Sequence, residues 1–106
     1  MKLLSRAEEI ILTAILQLKG NAYGITIRDY IKDITGYEWS FASIYDPLNK
    51  LFRKRYVRKI TAEPTAERGG RRKILYEITP DGIEALREIR TVNENIWQKI
   101  PKTALK

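Results

Sequence analysis

The sequence contains neither cysteine nor histidine. Without cysteine there are no disulfides and no thiol chemistry, and without histidine the common zinc sites and all histidine-based catalytic triads are excluded. Carboxylate pairs such as Glu8 and Glu9 do not indicate a catalytic site, because they have the spacing of surface positions on a helix. No glycine-rich phosphate-binding loop lies near them in the sequence. The sequence therefore predicts a protein that is not an enzyme and that holds no metal and no cofactor.

Long apolar runs are also missing. No stretch of about 18 apolar residues occurs, and the first residues lead directly into a charged segment, so we expect neither a membrane span nor a signal peptide. The expected location is cytoplasmic. With 106 residues, the chain is long enough for one domain with a modest core.

Positive charge is concentrated in residues 50–73. This segment holds ten lysine or arginine residues and two glutamates, a net charge of +8, whereas the whole chain carries +7. A basic block in an otherwise balanced domain is typical of a surface that meets a polyanion, which makes nucleic acid the first partner to test. The alternative is a solvated run of charge that only keeps the protein soluble.

Capping residues and apolar periodicity predict a mainly α-helical fold with a small antiparallel β-hairpin. The expected elements are helices at about residues 5–19, 24–35, 40–54 and 80–100, with strands at about 56–61 and 73–78. This order is that of a winged helix-turn-helix followed by one more helix. We expect residues 1–79 to form the DNA-binding domain and residues 80–106 to form a C-terminal dimerisation helix packed on it.

Motifs spread along the chain resemble those of the PadR family of transcriptional regulators. In chain order they are Tyr23-Gly24, Ser43-Ile44-Tyr45, Tyr56-Val57, Gly69 to Lys73 and Thr79-Pro80-Asp81-Gly82. Their order and spacing carry the resemblance, and the short C-terminal part is similar to the branch with a single dimerisation helix. The family usually has glycine where Arg55 stands, and a positive φ there would cost arginine about 1 kcal/mol.

The outward side of the third helix carries small polar and long basic residues, a pattern that suits the major groove of DNA. We expect Ser43 to reach base edges there and the basic residues to reach phosphates. An ordinary solvated helix face is the alternative. Tyr45 fits either a core position or a phosphate contact. The predicted DNA-binding residues of this helix are Ala42, Ser43, Tyr45, Asp46, Lys50, Arg53 and Lys54.

The connection of the hairpin supplies a second predicted DNA contact. Glycine lets the backbone turn sharply beside DNA, while arginine side chains enter or flank the minor groove. The alternative is a loop whose charges serve only solubility. The predicted DNA-binding residues here are Arg68, Gly70, Arg71, Arg72 and Lys73.

The first and fourth helices carry more apolar surface than one chain of this size is expected to cover, so we predict that a second copy packs against them. The expected interface residues are Ile11, Ile15, Ile89, Val92, Ile96, Trp97 and Ile100. The resemblance implies regulators that sense flat apolar compounds. Trp97 is therefore either an interface anchor or part of a site for a small aromatic effector.

Together these features predict a homodimeric, sequence-specific regulator of transcription that binds double-stranded DNA. We expect a repressor that acts on an approximately palindromic operator. The alternative from another class is a winged-helix interaction module whose basic face binds an acidic protein or RNA.

Overall fold

A computed structural model of the protein describes residues 2–61 and 73–105. The elements in this part of the chain are α1 (Arg6–Gln17), α2 (Gly24–Thr35), α3 (Phe41–Arg53), β1 (Val57–Thr61), β2 (Ile74–Ile78), α4 (Pro80–Gln98) and a final 3₁₀ helix (Lys102–Leu105). The fold is mainly helical with a two-stranded antiparallel hairpin, which confirms the predicted class. The element ends agree with the expected ones to within two residues.

Short-range hydrogen bonds explain where the helices begin. Ser5 Oγ accepts from the amide of Glu8 while the Glu8 carboxylate accepts from the amide of Ser5, so that a complete capping box opens α1. Ser40 caps α3 and Thr79 caps α4 by accepting from the amide three residues further on. These bonds satisfy amides that have no partner inside a helix.

Helix α1 lies at the centre of the core and contacts α2, α3, β2 and α4. Its nearly continuous apolar surface is therefore buried on several sides within one chain. Ile11 and Ile15 are 0% and 2% exposed. A side chain that is already buried in its own protomer has little surface to offer a partner, so the structure does not support their predicted place in a dimer interface.

The hairpin is attached to the helical core at its base. Val57 pairs with Ile78 and Thr61 pairs with Ile74 in an antiparallel register. The amide of Tyr76 donates a 2.8 Å hydrogen bond to the carbonyl of Ala22, in the connection between α1 and α2. Since Val57 and Tyr76 are also buried, the base of the hairpin has a defined position beside the helices.

Two kinds of feature do not occur in the described ranges. No helix there combines the length and apolar character needed to cross a membrane. No three histidine, cysteine, aspartate or glutamate residues within the same ranges are grouped closely enough to hold a metal ion.

Candidate nucleic-acid interface

Helix α3 has one buried side and one exposed side. Ile44, Leu48 and Leu51 are fully buried and follow the spacing of a single helix face. The opposite side is accessible to solvent, and it carries Ala42, Ser43, Tyr45, Asp46, Lys50 and Arg53. The structure thus brings most of the predicted DNA-binding residues of this helix together on one surface, called here the α3 face.

An aromatic ring covered by a cation lies at each end of the α3 face. The guanidinium carbon of Arg28 is 4.5 Å from the centre of the Phe41 ring, and Lys59 Nζ is 4.2 Å from the centre of the Phe52 ring. The two rings are 40% and 41% exposed. They lie at the edges of the apolar stripe, where the cations cover them.

Arg28 and Lys59 therefore flank the α3 face, and neither of them is among the DNA-binding residues predicted from the sequence. Arg28 comes from α2 and Lys59 comes from β1. No local motif identifies these pairings, because each joins two different elements. The signal available in the sequence was an aromatic residue near each end of the third helix, Phe41 and Phe52.

Tyr45 takes part in packing and is also accessible. Its side chain is 39% exposed, and its ring lies 6.2 Å from that of Phe41. A Cβ atom added to Gly24 would overlap the Tyr45 hydroxyl, so glycine at the start of α2 is what permits this close approach. Tyr45 also influences a neighbouring tyrosine. The pKa of the Tyr76 hydroxyl is raised, mainly by burial and secondarily by the nearby Tyr45. The Tyr45 ring is thus packed on one side and accessible to solvent on the other, and its contact with phosphate stays a prediction.

Lys54 has an intramolecular partner. Its Nζ lies 2.7 Å from Oε2 of Glu8, a residue that is 4% exposed. Burial by itself raises the pKa of the Glu8 carboxyl, but hydrogen bonds from Lys54 and Ser5 and the charge of Lys54 outweigh it, so the pKa is lowered. The lowered pKa favours the ionised carboxylate, whose charge the ammonium of Lys54 neutralises. The Lys54 side chain is therefore directed to Glu8 and not freely into solvent.

The described part of the hairpin adds further charge. Arg58 and Glu77 form a cross-strand ion pair of 3.2 Å, and Lys73 Nζ lies 4.3 Å from the centre of the Tyr23 ring. Lys73 is therefore held beside the start of α2. The other predicted residues of this region lie outside the described residues, namely Arg68, Gly70, Arg71 and Arg72.

Helix α4 divides into a packed half and an exposed half. Ile89 is buried in the core of the protomer, and Asn93 Nδ2 donates a 2.8 Å hydrogen bond to Glu9 Oε2 in α1. Beyond this point Ile96 and Trp97 are 52% and 61% exposed. The remaining predicted interface residues, Val92 and Ile100, are half-buried.

A groove lies between α1 and the first half of α4. Its volume is about 410 Å³, and its apolar lining includes Leu16, Ile83 and Leu86. Leu16 and Ile83 are 41% and 39% exposed. The exposed apolar residue of α1 is therefore Leu16. The space between the two helices is called the α1–α4 groove.

Comparison with known protein families assigns the chain to one of them. Residues 11–88 match the transcriptional regulator PadR-like family. Because the match covers most of the chain, the protein belongs to this family. The predicted resemblance is confirmed, and so is the class of protein, a transcriptional regulator rather than an enzyme.

Solved structures of regulators share the fold. A transcriptional regulator from Clostridium thermocellum is 24% identical, with a TM-score of 0.68 over 90% of each chain. A PadR family transcription regulator from Clostridium difficile is 17% identical, with a TM-score of 0.73 over 96% of this chain and 100% of the other. No curated protein matched the sequence.

A third solved structure contains DNA. It is Bacillus subtilis PadR in complex with operator DNA, which is 21% identical with a TM-score of 0.64. The match covers 93% of the present chain and 52% of the Bacillus protein, so this chain spans about half of that protein's length. At these identities the likeness establishes the winged-helix fold.

Proposed function

We propose that the protein is a homodimer that binds double-stranded DNA sequence-specifically and represses transcription by occupying an approximately palindromic operator. The observation that carries the proposal is the α3 face, an exposed helix surface flanked by the cations of Arg28 and Lys59. The helix with this face is part of a protein that belongs to the PadR-like family of transcriptional regulators. The Bacillus PadR structure, in which a related fold is bound to operator DNA, supports it.

The α3 face is assigned to the major groove. That groove admits a helix and presents a different pattern of donors and acceptors for each base pair. Ala42 and Ser43 lie near the start of α3, where small side chains allow close approach to base edges. Lys50 and Arg53 are assigned to phosphates, which position the helix without carrying sequence information.

The connection between β1 and β2 is assigned to the DNA backbone. By sequence it carries Arg68, Gly70, Arg71 and Arg72, and Lys73 follows it. Strand β1 also carries Lys59, at the end of the α3 face, which brings the hairpin next to the proposed groove contact. Contacts made mainly to phosphates strengthen binding to all sequences alike.

The dimer is assigned to α4 and the α1–α4 groove. Ile96 and Trp97 expose apolar surface on one half of α4, and the groove beside the other half exposes Leu16 and Ile83. A second copy of the chain covers both at once, because each protomer supplies a helix and a groove. A stable pair of this kind buries about 1,600 Å² in total.

Selection from random duplex DNA tests the function. The proposal expects an enriched inverted repeat with half-sites about one helical turn apart, roughly 34 Å. No enrichment of any duplex would instead favour the alternative, an interaction module that binds an acidic protein or RNA. Salt dependence alone does not separate the two, because both are electrostatic.

A salt series then separates the helix from the hairpin. Replacing Arg71 and Arg72 together by alanine should weaken specific and scrambled duplexes alike. Because the dimer then loses two arginines from each protomer, the salt slope should fall by roughly 3.6 units. Ser43→Ala should reduce the preference for the specific duplex. Lys99→Ala, at the end of α4, is the control that should change neither. If the arginine variant loses the preference and Ser43→Ala keeps it, the hairpin is the reading element.

Sedimentation equilibrium tests the dimer. Wild-type protein at micromolar concentration should have the mass of two chains, and Ile96→Asp should shift it towards one. Gln98→Asp adds the same charge at an exposed polar position two residues away and should leave the mass unchanged. A monomer mass for the wild type contradicts the dimer.

A small aromatic effector is assigned to Trp97, since its large exposed indole is a surface on which a flat ring stacks. Trp39→Phe leaves Trp97 as the single tryptophan and makes its fluorescence specific. Planar aromatic compounds should then change both this fluorescence and operator affinity. If neither changes across such a panel, Trp97 is an interface anchor only.

A further inference from the structure

Thr79 joins the end of α3 to the start of α4. Its Oγ1 donates a 2.7 Å hydrogen bond to the carbonyl of Arg55 and accepts a 3.1 Å bond from the amide of Gly82. Its own amide donates to the carbonyl of Tyr56 at 3.0 Å. One residue thus attaches the connection between α3 and β1 to the first turn of α4.

The residues that Thr79 joins have little freedom to move. Arg55 has a φ of 65°, a left-handed conformation that arginine adopts only when its surroundings hold it there. A Cβ atom added to Gly82 would overlap the carbonyl oxygen of Tyr56. The first turn of α4 therefore lies directly against the connection that follows α3.

The preceding residue is attached to a different helix. Lys54 is paired with the buried Glu8 of α1 at 2.7 Å. Two consecutive residues after α3, Lys54 and Arg55, are therefore bonded to α1 and to the start of α4. Helices α1 and α4 are the ones assigned above to the dimer. The contacts of Lys54 and Arg55 therefore form a joint that attaches the α3 face to the proposed interface.

We propose that Thr79 is a positioning residue for DNA recognition: by attaching the connection after α3 to the first turn of α4, it determines which half-site spacing the dimer accepts. The inference rests on the proposed function. The two α3 helices of a symmetric dimer must match half-sites on one side of the duplex, about one helical turn apart. A rotation of α3 at this joint changes their separation even though Thr79 does not contact DNA.

Binding to inverted repeats of different spacing tests the inference. The measured quantity is the affinity for the selected spacing divided by the affinity for repeats lengthened or shortened by one base pair. Thr79→Asp keeps an acceptor for the Gly82 amide, and so keeps the cap, but has no hydrogen to donate to Arg55. Its affinity ratio should fall about fivefold, the effect of one hydrogen bond.

Thr79→Ser is the matched control, since it keeps both the donor and the acceptor and should keep the wild-type ratio. Circular dichroism shows whether Thr79→Asp folds. If it does not fold, Lys54→Met serves instead, because it removes the neighbouring ion pair with Glu8 and should lower the same affinity ratio. A folded Thr79→Asp protein that weakens all spacings equally overturns the inference. A wild type with no preference for any inverted repeat contradicts the proposed function instead.

Discussion

The ammonium of Lys54, directly after α3, lies 2.7 Å from the carboxylate of Glu8 in α1, 46 residues earlier in the chain. Glu8 also completes the capping box with Ser5. A single buried carboxylate therefore holds the start of one helix and the end of another. Among the basic residues at the end of α3, Lys54 stabilises the fold, and the DNA contacts assigned to this helix fall to Lys50 and Arg53.

Lys54→Met should lower the free energy of unfolding by about 2 kcal/mol, because it leaves the buried Glu8 carboxylate without its charged partner. Lys50→Met removes the same charge from an exposed position of α3 and should have little effect on stability. Urea unfolding of both variants gives the comparison. Equal stabilities for the two variants would mean that the ion pair contributes nothing measurable.

The contribution of Glu8 should depend on pH. Its pKa in the folded protein lies below the ordinary value of 4.5, so its charged form is favoured by folding. This stabilisation is complete above the pKa of the unfolded chain and is lost as pH falls through the lower pKa of the folded protein. The stability difference between wild type and Glu8→Gln should therefore shrink between about pH 7 and about pH 3. A difference that grows on acidification would contradict this sign.

Gly24→Ala should destabilise the protein by about 1 kcal/mol, because the added methyl group overlaps the Tyr45 hydroxyl. In a Tyr45→Phe background the hydroxyl is gone and most of this loss should disappear. A double-mutant cycle by urea unfolding measures the coupling. Additive effects would show that the two residues do not restrict each other.

Arg55→Gly should raise stability by about 1 kcal/mol, since glycine adopts the observed positive φ without the steric cost that arginine has. Arg53→Gly, in the last turn of α3, removes the same charge but should lower stability by about 1 kcal/mol. The two variants thus change stability in opposite directions. Thermal and urea unfolding both report it, and a loss of stability in Arg55→Gly would contradict the expectation.

Gly82→Ala should cost about 3 kcal/mol, more than replacement of Gly24 or Gly36, because its methyl group meets the backbone oxygen of Tyr56, which has no rotamer to escape into. Gly36→Ala has open space around it and only the strain of a φ of 79°, so it should cost about 1 kcal/mol. Urea unfolding of both proteins tests the order. Similar losses would show that the first turn of α4 adjusts freely.

The sequence by itself was sufficient for the order and starts of the elements. The caps made by Ser5, Ser40 and Thr79 are bonds between residues three positions apart, so they are visible in a short stretch of chain. Arg55 stands directly after the end of α3, and the structure gives it a φ of 65°, a conformation that the sequence raised only as a condition.

Only the tertiary structure decided what the apolar and charged side chains contact. The sequence assigned Ile11 and Ile15 to a partner because α1 is apolar nearly all round, whereas both are buried within the same chain, in a helix that contacts four other elements. The pairings of Lys54 with Glu8 and of Arg28 with Phe41 join different helices. Such contacts depend on how the helices pack in three dimensions, and periodicity along one helix shows which side is apolar but not what covers it.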